Sequence, residues 1–188
     1  MYWSLKKKVR EKTEYLQKLV PKTWNYLNNN IELFNARKST IYHDAPPFSM
    51  FGVGDYSYMK FKVAISGFYK KPLFSLLYDV NQKPVMTDDT CYFICFDNYE
   101  MAYVAMLLLN STPVQEFLLS IAFLDAKRPY TKKILERLCF TKIFSVISYQ
   151  ILQETEKHLG LDHYITEDMY TLFQSSPVFQ RTEQLKLC

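Results

Sequence analysis

Apolar and polar positions change period several times along the chain, and each change marks an element. Trp3, Leu5, Val9, Leu16, Leu19 and Val20 recur at helical spacing, with KKKVREK on the polar side, so residues 1–20 are expected to be a charged helix that Pro21 interrupts. Trp24, Leu27, Ile31 and Phe34 follow a 3, 4, 3 spacing and predict a second helix over about 22–37. In STIYHDAPPFSMFGVGDY, Pro46 and Pro47 mark an extended connection, and Gly52 and Gly54 a flexible approach to a strand. MKFKVAIS then alternates: Phe61, Val63 and Ile65 point to one face, and Lys60, Lys62 and Ala64 to a second, solvated face. Gly67 is expected to end this strand in a turn needing positive φ, and Pro72 to stop the ladder beyond it. LFSLLYDV (73–80) reads as a second strand, Asn81 to Pro84 as a turn, and PVMTDDTCYFICF as a third and a fourth strand around Asp88-Asp89.

Helical periods then return. NYEMAYVAMLLL (98–109) predicts a strongly apolar helix and is followed by Asn110-Ser111-Thr112-Pro113, and VQEFLLSIAFL makes the next helix. Thr131 is placed to cap a helix carrying Ile134, Leu135 and Leu138. From about Phe144, FSVISYQILQETEKHLG is helical and is closed by Gly160. The remaining tail is acidic, then mixed, and is expected to dock loosely or to contact a partner. The whole predicts an α+β (mixed α/β) fold, with a small, mostly antiparallel sheet, packed helices, and flanking N- and C-terminal helices. Its parts are a helical N-terminal arm (1–38), a central domain (39–143) and a C-terminal helical extension (144–188).

Composition narrows the functional classes. Hydrophobic residues are 48% of the 188, enough for a core, while aromatics reach 16% and glycine only four. That balance argues against a Gly-rich phosphate-binding enzyme and for a core built with rings. Cys91 and Cys95 lie in an apolar run, with Cys139 and Cys188 far away, so buried thiols in a reducing compartment are expected rather than a zinc site. The segment MYWSLKKKVREK has no apolar core, and no apolar run approaches the ~18 residues of a membrane span. A soluble, cytoplasmic chain is therefore expected, with no membrane partner.

The net charge of +4 permits a polyanionic partner without demanding one. Residues 1–40 hold nine Lys and Arg against three Glu, so the arm is strongly basic and the remainder slightly acidic. Two other clusters are local. Lys60, Lys62, Lys70 and Lys71 interleave with Tyr69 around SGFYKKP. Cations with aromatics suit nucleic acid, since ammonium groups meet phosphate and rings stack on bases; the plainer reading is a strand with a solvated lysine face. Lys127, Arg128, Lys132 and Lys133 crowd the start of the helix expected after Thr131. Cations there oppose the helix dipole, so with the helix NH groups they would form an anion site suited to phosphate. Asp88-Asp89 invites a metal or general-base role, but a turn that caps backbone NH groups accounts for it better. Asp44-Ala45-Pro46-Pro47-Phe48 looks like the Asp/Asn-Pro-Pro-Tyr/Phe tetrapeptide of DNA amino-methyltransferases, but Ala45 separates the acid from the prolines. No buried strand precedes it and no Gly-rich cofactor loop lies upstream, so it is rejected.

Taken together, YLNNNIELFNARKSTIY, PPFSMFGVGDYSYMKFKVAISGFYKK, KPVMTDDTCYFI and LLLNSTPVQEFLLSIAFLDAKRPYTKKILERL resemble the C-terminal target-recognition region of adenine-specific (N6) DNA methyltransferases of restriction–modification systems, including fused type II enzymes. More distantly they are similar to the recognition domains of type I specificity subunits. The resemblance covers about Tyr26 to Leu138. It implies a bacterial, non-catalytic domain, cut from or encoded apart from its enzyme, that binds double-stranded DNA and reads a target so that a catalytic domain or subunit can flip and methylate an adenine. It implies no cofactor in this chain and AdoMet on a separate catalytic domain. It places Lys62, Ser66, Lys70 and Lys71 in a strand-and-loop match, Lys127, Arg128 and Thr131 in a DAKRPYT match, and Tyr69 and Tyr130 as neighbouring rings. Lysines are assigned to phosphate, and Arg128 to phosphate or a guanine edge.

Two rivals remain open. One is a protein-interaction module docking on a partner enzyme through the 101–109 helix or the N-terminal arm. The other is a small Mg²⁺- or AdoMet-dependent DNA-modifying enzyme using Asp88, Asp89 and Lys83. The DNA reading requires that the two basic segments, far apart in sequence, meet on one surface.

Overall fold

A computed structural model describes residues 16–50 and 53–176. The chain divides into two compact units between Val53 and Gly54.

In the first unit, residues 16–19 are helical and Pro21 opens helix α1 (Pro21–Asn29), where its missing N–H costs nothing. Asn30 breaks the regular run, its side-chain amide donating to Tyr26 O, before α2 (Ile31–Asn35). Trp24, Leu27, Ile31 and Phe34 are the half-buried positions, as their spacing predicts. Trp24 and Phe34 both meet the ring of Phe48 edge-on, at 5.7 and 5.2 Å. Arg37 closes the unit: its guanidinium lies 3.8 Å from the Tyr42 ring centre and donates to Phe34 O, Pro47 O and Ser49 O. The charged helix expected before residue 16 lies outside the described residues.

The second unit is built around α3 (Tyr99–Asn110), whose residues from Ala102 to Leu109 are all buried. A helix apolar on every side must be covered on every side. The sheet supplies one cover, with antiparallel order β2 (Phe74–Leu77), β1 (Phe61–Ser66), β3 (Cys91–Phe96). Helices α4 (Thr112–Ile121), α7 (Tyr149–His158) and α8 (Glu167–Ser175) supply the rest. Two short helices, α5 (Lys132–Leu135) and α6 (Phe140–Val146), add Leu135, Phe140 and Phe144 to the same core. The fold is mixed α+β, as expected. Among the described residues no single helix is long and apolar enough to cross a membrane; α3 and α4 meet at a 58° bend at Ser111.

Four expectations are corrected. β1 has no solvated lysine face. It is the central strand, and its second face is covered too: Tyr56, from the 3₁₀ turn Asp55–Tyr58, packs on Phe93, and Lys62 is only 1% exposed. Its ammonium donates to Met59 O (2.6 Å) and Val85 O (2.9 Å), which satisfies the buried charge. Burial pulls the Lys62 pKa below its ordinary value, against the opposing pull of Cys95 and Asp79. Next, among the described residues no fourth strand forms near Asp88. The turn expected from Asn81 does form: the chain reverses at Asn81 and Gln82, both at positive φ, between Val80 and Lys83. As far as residue 176 the tail does not dock loosely: Ile165, Met169 and Phe173 are buried, and Phe173 stacks on Phe144 at 5.5 Å, while residues 177–188 lie outside the described residues. Gly67 does not need positive φ, and its actual role is described below.

One buried carboxylate holds the tail in place. Glu156 Oε1 accepts from Tyr103 Oη (2.6 Å) and from the main-chain N–H groups of Tyr164 and Ile165 (2.8 and 3.0 Å). Burial first, and this carboxylate second, push the Tyr103 pKa well above the ordinary phenol value.

Asn110 joins α3 to the sheet. Its side-chain oxygen accepts from Phe74 N (2.9 Å), while its amide donates to Phe74 O (2.8 Å) and Met106 O (2.9 Å). Gln115 adds a bond to Pro72 O at 2.7 Å. Asn110→Leu strips both partners from the Phe74 main chain, so urea denaturation should show a loss of about 1–3 kcal/mol. An unchanged midpoint would mean that this clamp carries no stability.

Candidate nucleic-acid interface

Three loops meet at one end of the sheet. Antiparallel pairing sets Ser66 opposite Cys91, so the loop leaving β1 and the turn entering β3 are neighbours by register. In the entering turn, Asp88 Oδ1 accepts from Thr90 N (3.0 Å) and Thr90 Oγ1 (2.6 Å). These bonds lower the Asp88 pKa, and they give Asp88 the turn-capping role read from the sequence.

Gly67 joins the two loops. Its N–H donates to Thr90 O at 2.9 Å, and a Cβ at this position would sit 3.1 Å from Thr90 O and 3.3 Å from the Tyr92 ring. Glycine is needed here for close approach rather than for its φ. The loop leaving β1 continues through Phe68, whose N–H donates to Ser66 Oγ, and on to Tyr69, Lys70 and Lys71.

The third loop, 122–131, crosses to meet the first. Tyr130 is fully buried and donates from its hydroxyl to Lys70 O (2.7 Å). In return the Lys70 ammonium donates to Leu124 O and to Ala126 O (3.2 Å). Phe68 receives both cations of the crossing loop, with Arg128 4.9 Å and Lys127 5.8 Å from its ring centre. Such contacts contribute about 0.5–1 kcal/mol each when exposed. Arg128 also reaches Asp89, Nη2 to Oδ2 3.7 Å.

The expected site residues therefore separate. Tyr69, Lys70, Lys71, Lys127 and Arg128 belong to the meeting loops, and all but the half-buried Arg128 are exposed. Ser66 shapes the first turn from a half-buried position. Lys132 and Lys133, both exposed, are the first two residues of α5. Lys60 is exposed, but at the far end of β1, roughly 20 Å from Ser66 by strand rise. Lys62 and Tyr130 are buried and offer no side chain to a ligand as the chain stands. Burial also raises the Tyr130 pKa.

The anion site expected at the helix after Thr131 is corrected. That helix has four residues, too few for an appreciable dipole, and the Thr131 side chain caps nothing. Lys132 pairs with Glu136 one turn on, at 3.8 Å. Phe68 and Asp89 were not among the expected site residues. Phe68 stands inside the aromatic–basic run SGFYKKP, whereas Asp89 shows its role only once β1 and β3 are in register. Among the described residues no group of His, Cys, Asp and Glu is arranged to hold a metal ion.

If the close approach at Gly67 organises this end, Gly67→Ala should lower stability by about 1–3 kcal/mol through forced displacement of Thr90 or Tyr92. Urea denaturation checks this, and a variant as stable as the parent would show that the loops yield freely.

Comparison with known proteins gives a relative for this architecture. The chain is 42% identical over 139 residues to the type II methyltransferase M.NspV from Nostoc sp. (strain ATCC 29411 / PCC 7524). The match takes in 74% of this chain but only 29% of that protein. No family model matches the chain, and no solved structure matches it. The chain is thus related to a limited part of a type II restriction–modification methyltransferase.

Proposed function

We propose that this chain is the DNA-recognition part of a type II restriction–modification adenine methyltransferase system, without catalytic machinery of its own. It binds duplex DNA through the end of the sheet where the three loops meet. Chemistry on the base, and AdoMet, belong to a separate catalytic domain or subunit; that this chain spans only 29% of its relative supports such a division.

The observation that carries the reading is the union of SGFYKKP with DAKRP. These segments lie more than fifty residues apart in sequence, yet Lys70 bonds to the carbonyls of Leu124 and Ala126, and Tyr130 bonds back to Lys70. The union leaves Lys71 and Lys127 exposed beside the exposed ring of Tyr69. Exposed ammonium groups with an exposed aromatic ring suit a phosphate backbone, which needs charge more than fixed geometry.

Binding should weaken steeply with salt, because each neutralised phosphate releases condensed counterions. Titration of a fluorescent duplex across salt concentrations gives the slope of log K against log salt. Changing Lys71, Lys127 and Lys133 together to glutamine should make that slope shallower by about 0.9 for each phosphate no longer neutralised. A triple variant with the parental slope and affinity, or a parent that binds no duplex at low salt, would contradict the reading. In the second case a protein-docking role would replace it.

A further inference from the structure

We propose that Arg128 is a specificity-determining side chain, a fork oriented by Phe68 and Asp89 to read a guanine edge, while the lysines around it hold phosphate. The proposal rests on the DNA reading above and divides its labour.

The cations at this end of the sheet are not held alike. Lys71 and Lys127 are exposed, Lys127 with only the Phe68 ring 5.8 Å from its ammonium, and Lys70 ties two loops together. Arg128 is constrained from several directions. The Phe68 ring lies 4.9 Å from its guanidinium carbon, and Asp89 Oδ2 lies 3.7 Å from Nη2. The backbone that follows it is anchored through buried Pro129 and Tyr130.

Its two supports are themselves fixed. Gly67, next to Phe68, donates to Thr90 O. Thr90, next to Asp89, has both its N–H and its hydroxyl on Asp88. The cation and its two neighbours therefore share one frame, although the Arg128 and Asp89 side chains keep 37% and 54% of their surface open to solvent.

An ion pair this exposed adds little to stability, so folding alone gives a weak reason for it. It also suits phosphate poorly. The carboxylate cancels most of the charge that attracts the backbone and would itself repel a phosphate beside it. A guanine edge makes the opposite demand. O6 and N7 are neutral acceptors at fixed spacing, matched by two parallel N–H groups of a guanidinium. Asp89 attracts the cation from 3.7 Å without taking a hydrogen bond, so the five N–H groups of the side chain leave a pair for the base. Asp89 and Phe68 are then positioning residues that act through Arg128.

The test is a selection of bound duplexes from a random-sequence library by the full 188-residue chain at low salt, followed by titration of single duplexes. Parent, Arg128→Lys, Asp89→Asn and Lys127→Gln are compared, with thermal unfolding run on each. The parent should prefer guanine at one base pair at least. Arg128→Lys keeps the charge and loses the fork, so it should reduce discrimination at that pair by about tenfold or more while non-preferred duplexes bind much as before. Asp89→Asn should relax the same pair partially, and Lys127→Gln should weaken all duplexes alike. If Arg128→Lys weakens every duplex equally and the preference is intact, Arg128 is a phosphate ligand and the proposal fails while the DNA reading stands. A parent that binds duplexes without sequence preference likewise overturns the proposal and spares the DNA reading. A parent that binds no duplex overturns both. Should Arg128→Lys fail to fold, the Asp89→Asn preference decides, and an unaltered preference rejects the proposal.

Discussion

A missing side chain at Gly67 is the constraint on which the candidate interface depends. The backbone leaving the central strand must lie against Thr90 O, and a Cβ would come within 3.1 Å of that oxygen. Only with that approach does Phe68 emerge beside Asp89, and only then can the third loop close over both with Tyr130 buried beneath. The frame below is equally obligatory. The apolar run Ala102–Leu109 of α3 has to be enclosed, so the sheet covers one side and α4, α7 and α8 cover the rest. Those later helices and the sheet thus share one core.

Local signals in the sequence were dependable where one element determined them. The half-buried stripe of α1 and α2, the central strand, the fully apolar α3 and the closing Gly160 at φ +66° all follow from spacing and residue type. What could not be read was whatever depends on a second element. Alternation in MKFKVAIS marks a strand but does not say whether its second face meets water, and Lys62 is covered by Met59 and Val85 from outside the strand. Met169 and Phe173 have helical spacing in an acidic tail, and nothing local announces that they reach the core. Asp89 looks like half of an acid pair until register brings it to Arg128.

Cations are often tallied as one property, yet here they fall into distinct physical kinds. Lys62 is buried and satisfied by carbonyls, and its contribution is to the fold. Lys70 is exposed but tied to two carbonyls of another loop, so it organises the surface. Lys71 and Lys127 are exposed, and Arg128 is half-buried between the Phe68 ring and Asp89. A duplex-binding surface draws on the last two kinds differently, since diffuse charge sets affinity and fixed forks set sequence.

Whether three loops from separate parts of the chain act as one DNA-facing surface is open to direct measurement. Hydrogen–deuterium exchange of the full chain, with and without a random-sequence duplex at low salt, addresses it. Slower exchange is expected on DNA addition in 67–71, 88–90 and 124–133 together, with α7 and α8 unchanged. Protection confined to α7 and α8, or to none of the three loops, would contradict a shared DNA-facing surface.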